Sequence, residues 1–99
     1  MKQMRKILVI RFSSIGDIVL TTPVVRCLKK QFPDAEIHFL TKKKFAQVVA
    51  NNPYISKVHC FSDNLSETIK ELRAERFDFV VDLHRNLRSM RVKMALRKS

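Results

Sequence analysis

Glycine occurs once in these 99 residues, as Gly16, and tryptophan not at all. The dinucleotide fingerprint GxGxxG needs three glycines and the Walker A loop needs two, so neither phosphate-binding motif can be present. Acidic residues are scarce too, with nine Asp and Glu against twenty Lys and Arg, a formal net charge of +11. Charge of that sign points to anionic partners: nucleic acid, phosphorylated sugars or an acidic membrane surface. The two cysteines, Cys27 and Cys60, are too few for a disulfide framework and lack metal-ligand spacing, so reduced cytoplasmic thiols are expected. His38, His59 and His84 sit on or just after separate apolar segments with no cysteine or carboxylate at ligand spacing, which predicts core or surface roles and no metal. There is no GxSxG elbow, and neither Ser13 nor Ser14 has a histidine nearby to activate it. No apolar run is long enough to span a membrane, and the first one is ended by Arg11 without a small-residue cleavage site, unlike a secretion signal.

What is present is an alternation of short apolar runs with helix-like segments. Hydrophobic residues make up 45% of the chain, enough for the core of one small domain. Ile7 to Ile10, three of four β-branched, suit a strand buried on both faces. Arg11 to Asp17, RFSSIGD, then breaks the run: Ser13 and Ser14 form a turn, Gly16 permits close backbone approach, and Asp17 stands where the next apolar segment begins. Asp17 to Leu20 is expected as a short turn, followed by a helix from Pro23 to about Phe32 with Thr22 as its cap and Val24, Cys27 and Leu28 as its buried stripe. Ala35 to Leu40 predicts a second strand and Lys42 to Ala50 a helix burying Phe45, Val48 and Val49. Val58 to Phe61 reads as a third strand. Asn64 with Glu67 three residues on reads as a capping box, opening a helix with Leu65, Ile69 and Leu72 on one face. Phe77 to Leu83 is the fourth strand.

Strands and helices alternating in this way predict an α/β fold, a Rossmann-like parallel sheet with helices on both faces. In such sheets ligands gather at the carboxyl ends of the strands, which directs attention to the SSIGD loop. The final segment, Leu87 to Lys98, has helical composition and six basic residues counted from Arg85. Leu87, Met90 and Met94 form one stripe while Val92 and Leu96 fall on the other side, and a helix apolar on two sides needs two covers. The chain is therefore expected to be the front part of a larger protein.

The segment ILVIRFSSIGDIVLTTPVVRCLKKQFPDAEIHFLTKKKFAQVVANNPYISKV, followed later by FDFVVDLHRNLRS, resembles glycosyltransferase family 9, the heptosyltransferases of lipopolysaccharide inner-core synthesis. The resemblance implies an incomplete N-terminal, acceptor-side domain of a GT-B fold over residues 1–99, with the donor-binding domain outside this chain. It further implies inverting transfer of heptose from ADP-heptose to an anionic lipid-linked acceptor, the lipid A inner core, at the cytoplasmic face of the inner membrane. The contact with that membrane would be peripheral. No cofactor and no metal are implied, the leaving diphosphate being stabilised by protein groups.

Asp17 is implied as the general base. From position alone it could equally offset the partial positive charge of a helix start, and the base role was expected to need burial to raise its pKa. Ser13, Ser14 and Gly16 could shape a loop whose backbone N–H groups meet an anion, or could be an ordinary tight turn. Lys42 and Lys43 follow the second strand, and Arg85 and Arg88 the fourth, so all four are placed to meet acceptor phosphates or carboxylates. A solvated helix start is the alternative for the lysines, and His84 could either contact substrate or order its loop. Two other classes stay open, the first on charge grounds. One is a basic nucleic-acid-binding module, although the chain shows no RNP-like aromatic pair or recognition helix and no specific nucleic acid is expected. The other is a noncatalytic interaction domain.

Overall fold

The structure, a computed structural model, describes residues 6–12, 14–61, 64–84, 92, 93 and 96. Four strands, β1 (Lys6–Ile10), β2 (Glu36–Lys42), β3 (Lys57–Phe61) and β4 (Phe79–Asp82), form one sheet in the order β3-β2-β1-β4. Every pairing is parallel, as the alternating pattern predicts. Between the strands lie α1 (Ile15–Leu20), α2 (Thr22–Gln31), a 3-10 turn at Lys43–Phe45 leading into α3 (Ala46–Ala50), and α4 (Leu65–Glu75).

β1 is central, and Ile7 to Ile10 are all buried. Its residues alternate between two cores, as period-2 geometry requires. Leu8, Ile10 and Phe12 join Leu40, Leu72, Val92 and Leu96 on the α4 face, whereas Val9 joins Ile18, Val25, Ile37, Phe39 and Val49 on the face covered by α1, α2 and α3. Val92 and Leu96 are thus covered on their side; Leu87, Met90 and Met94, the opposite stripe, lie outside the described residues.

Several expected boundaries shift for identifiable reasons. The predicted turn at Asp17 to Leu20 is a full helix, α1, and it runs into α2 through Thr21, whose buried hydroxyl and N–H both donate to the Ile18 carbonyl. Thr21, not Thr22, therefore caps α2, and Pro23 takes the second helical position, where no intrahelical donor is needed. The buried stripe of α2 moves with it: Val25 is buried and Leu28 packs on the core, while Val24 and Cys27 are exposed. Cys60 is exposed as well. Lys42 does not open a helix but closes β2, because its N–H pairs with the Phe12 carbonyl and its register partner is Phe61. The fourth strand is shorter than Phe77 to Leu83. The α4 cap is as read from the sequence, with Asn64 Oδ1 accepting from the Glu67 N–H at 3.2 Å.

Candidate active site

Strand order reverses beside β1: β2 and β3 lie on one side and β4 on the other. The crevice at the carboxyl ends of β1 and β4 is the topological switch point, where open α/β sheets bind ligands. The chain leaving β1 is fixed there by backbone bonds, Arg11 N–H to Leu40 O at 3.1 Å and Leu83 N–H to Ile10 O at 3.0 Å. The Thr41 hydroxyl adds a bond to the Phe12 carbonyl at 3.2 Å. Side chains of this turn therefore stand on a rigid sheet edge.

Arg11 organises the crevice. Its Nη1 donates to Leu83 O at 2.7 Å, across to the end of β4, and its Nη2 meets Asp17 Oδ2 at 2.8 Å, across to α1. Its buried Nε finds no acceptor among the described residues. Ser14 precedes α1 with extended backbone and makes no capping bond through its side chain; its hydroxyl instead donates to Asp17 Oδ2 at 3.0 Å. Hydrogen bonds from Arg11 and Ser14 hold the Asp17 carboxyl below the usual aspartate range. The carboxylate is about half exposed, so the expected elevation by burial does not occur and Asp17 stays ionised at neutral pH.

His84 closes the far side. Its Nδ1 accepts the Phe12 N–H at 3.3 Å, and its ring packs on the Phe12 ring at 4.8 Å. Burial, with the Arg11 charge behind it, lowers its pKa, so the imidazole is neutral and orders the loop, one of the two roles open to it. Arg11, Asp17, Leu20, Thr21, Val24 and Leu83 line an open cavity of about 190 Å³. Small-molecule sites run to roughly 300–1,000 Å³, so this is one wall of a cleft. Leu20 and Val24 in that wall are exposed apolar side chains, and Ile15 and Val19 of α1 are exposed as well. A Cβ at Gly16 would meet nothing within 4 Å, so no contact among the described residues calls for glycine there.

Among the predicted site residues, Ser14, Gly16 and Asp17 share the start of α1. Lys42 ends β2 and Lys43 begins the 3-10 turn after it, on the same carboxyl edge. Ser13, Arg85 and Arg88 lie outside the described residues. Sequence reasoning missed Arg11 as a site residue, taking it only as the end of an apolar run, although a cation directly after a buried strand and six positions before an acid was a usable signal. It also missed a second cluster at the opposite, amino-terminal edge of the sheet, where His38, His59 and Glu75 bring possible ligand atoms within 4.8 Å of one another.

The four-stranded parallel sheet with helices packed on both faces is the Rossmann-like arrangement expected from the sequence. No family model matches the chain. Over 78 residues it is 35% identical to lipopolysaccharide heptosyltransferase 3 of Escherichia coli strain K12, a match covering 69% of this chain and 23% of that protein. It superposes on the glycosyl transferase family 9 structure from Veillonella parvula with a TM-score of 0.86 and 27% identity, over 97% of this chain and 31% of the other. The E. coli heptosyltransferase WaaC with ADP-2-deoxy-2-fluoro heptose shares the fold, with a TM-score of 0.72 at 20% identity over 92% of this chain and 33% of that one. The chain belongs to glycosyltransferase family 9, as a counterpart of the amino-terminal part of its heptosyltransferases. It spans about a quarter of the length of the curated relative it matches.

Proposed function

We propose that this chain is the acceptor-side segment of a heptosyltransferase of lipopolysaccharide synthesis, with Asp17 as the general base of an inverting transfer. The observation that carries the reading is the Asp17 carboxylate held by Arg11 over the switch point of the sheet. In the transfer, an acceptor hydroxyl oxygen attacks the anomeric carbon of ADP-heptose from the side opposite the diphosphate. The bond from carbon to the diphosphate oxygen breaks, ADP departs, and Asp17 takes the hydroxyl proton. An aspartate held below its usual range is a weak base, and it suffices when the proton leaves late, after the oxygen has begun to bond to carbon and has become acidic. Arg11 then has a second task. Because it holds Asp17 through Nη2 and β4 through Nη1, it fixes the direction from which the acceptor hydroxyl is approached.

Lys42 and Lys43, on the same edge, supply cationic surface for the phosphates or carboxylates of a lipid-linked acceptor, and the reading assigns the same partners to Arg85 and Arg88 by their charge. Gly16 leaves room for a ligand to approach the start of α1, and the reading gives Ser13 and Ser14 a part in the same loop. The reading assigns no metal to the transfer and a peripheral contact to the membrane that carries the acceptor; no helix among the described residues is long and apolar enough to cross one. The full-length protein is tested by following ADP release and heptose transfer to a lipid A core acceptor. Asp17→Asn is expected to retain the fold and donor binding and to lower turnover by roughly two to four orders of magnitude, the usual worth of a general base. Near-normal turnover in that variant removes Asp17 from the role. Failure of the unsubstituted protein to use ADP-heptose removes the heptosyltransferase reading itself.

A further inference from the structure

Under α4, at the sheet edge remote from the crevice, two buried histidines on adjacent strands face each other. His38 Nδ1 and His59 Nε2 are 2.9 Å apart, with the rings within 17° of a common orientation. That separation is shorter than the approach of stacked ring faces, so the rings meet edge to edge through one hydrogen bond. The outer nitrogens also have partners: His38 Nε2 lies 3.1 Å from Glu36 Oε1 and His59 Nδ1 lies 3.0 Å from Glu71 Oε2. The chain Glu36, His38, His59, Glu71 therefore contains three contacts, each requiring one hydrogen. Two neutral imidazoles supply only two, and ionised carboxylates supply none. One proton is missing from a neutral pair.

The charges around the pair favour adding that proton. Glu36 comes from β2, Glu71 and Glu75 from α4, Lys6 from β1 and Lys57 from β3. Lys6 Nζ meets Glu75 Oε1 at 3.0 Å and Lys57 Nζ meets Oε2 at 3.0 Å, with Glu75 Oε2 3.9 Å from His59 Nε2. Asp78 is engaged with the Lys6 backbone N–H, and Phe77 presents its ring edge-on to both imidazoles. The carboxylates of Glu36, Glu71, Glu75 and Asp78 outnumber the two ammonium groups, and this excess of negative charge favours an added proton on the pair. A divalent cation fits less well. Zinc at about 2.0–2.1 Å from each nitrogen needs lone pairs converging on one point and the nitrogens about 3.3 Å apart. Here the nitrogens point at each other, and both Glu75 oxygens are held by lysines.

We propose that His38 and His59 hold one shared proton between them at neutral pH, an imidazolium–imidazole clamp that ties β2 to β3 and α4 and makes the stability of this domain peak near neutrality. The sign follows from proton counts. Below about pH 6.5 the unfolded chain carries two protons on these residues and above it none, whereas the folded pair carries one. Stability therefore falls on either side, by up to tenfold in the folding constant per pH unit. Burial opposes charge on the His59 ring, while the Glu71 and Glu75 carboxylates favour it.

Glu36→Gln isolates the alkaline side, because the amide of a glutamine can donate to His38 Nε2 and so provides the third hydrogen without any ionisation. Glu36 is partly exposed, so the substitution leaves packing in place. Urea denaturation of the full chain between pH 5 and 8.5 is expected to show the folding constant of the unsubstituted protein falling above about pH 6.5 relative to Glu36→Gln, and imidazole ¹⁵N shifts at pH 7 are expected to show one proton in excess of two neutral rings. Coincident pH profiles, or two neutral rings at pH 7, overturn the proposal. So does stabilisation by Zn²⁺ at pH 8 that His38→Gln abolishes, which would assign the cluster to a metal.

Discussion

Arg11 shows how a single planar cation can join three elements. One nitrogen is bonded to the carbonyl that ends the β4 segment, the other to the first acid of α1, and the backbone between them is the continuation of β1. Lysine could not do this, because an ammonium is a point donor without the fixed fork. Arg11→Met keeps the apolar stem and removes the fork. It is expected to cost about 1.5–3 kcal/mol in urea denaturation, the worth of a charged hydrogen bond, through loss of the Leu83 contact. In the same variant the Asp17 carboxyl should titrate at higher pH, back toward the ordinary aspartate value, because its principal stabilising partner has gone. A carboxyl ¹³C titration reads that shift; an unmoved Asp17 would mean that Ser14 alone holds it. The placement of Asp17 at a helix start after β1 was legible in the sequence from a buried run followed by serines, a glycine and an acid. The job of Arg11 was not, since its partner Leu83 is 72 residues away and no local pattern announces it.

At the scale of elements, some local signals held and others were overridden by neighbouring elements. The Asn64 cap is a three-residue signal and is found as expected. The stripe of α2 depends on how α1 delivers the chain into it: Leu28 keeps its place on the core, while Val25 takes the buried side and Val24 and Cys27 are exposed. The end of α4 is a further case. With one glycine in the chain, no terminator was visible after Glu75, yet Arg76 adopts the left-handed conformation at φ 58° that glycine usually supplies. A side chain pays roughly 1–2 kcal/mol for that conformation, and glycine gives back part of the advantage through the freedom of the unfolded chain. Arg76 is exposed, so Arg76→Gly should raise stability by about 0.5–1 kcal/mol in denaturant melts, with no change in the fold. A loss instead would mean that the arginine side chain makes an interaction outweighing its backbone strain.

Across the whole molecule the two ends of the sheet do different work. The carboxyl end carries the open crevice, with Asp17 half exposed and apolar surface around it. The amino end is closed by ion pairs, since Glu75 at the end of α4 reaches both the first residue of β1 and the first residue of β3. Nothing in the sequence suggested that closure, because Lys6, His38, Lys57, His59 and Glu75 come together only when β1, β2 and β3 lie side by side beneath α4. Lys57 and Lys6 push the Glu75 carboxyl down to about 2, from an ordinary value near 4.5. A depressed carboxylate contributes stability that is complete above the unfolded value and is lost as pH falls through the folded one, so this contribution should disappear between about pH 4.5 and 2. Glu75→Gln tests it, since the amide cannot ionise. Compared by urea denaturation from pH 2 to 8, the unsubstituted chain should lose stability relative to Glu75→Gln across that acid window, by up to tenfold in the folding constant per pH unit. The repulsion from a net charge of +11 acts on both proteins and largely cancels in the difference. The window also lies below the range in which the histidine pair titrates, so the two devices separate on one pH axis. Parallel curves below pH 4.5 would show that the lysines neutralise Glu75 no better in the folded sheet than water does in the unfolded chain.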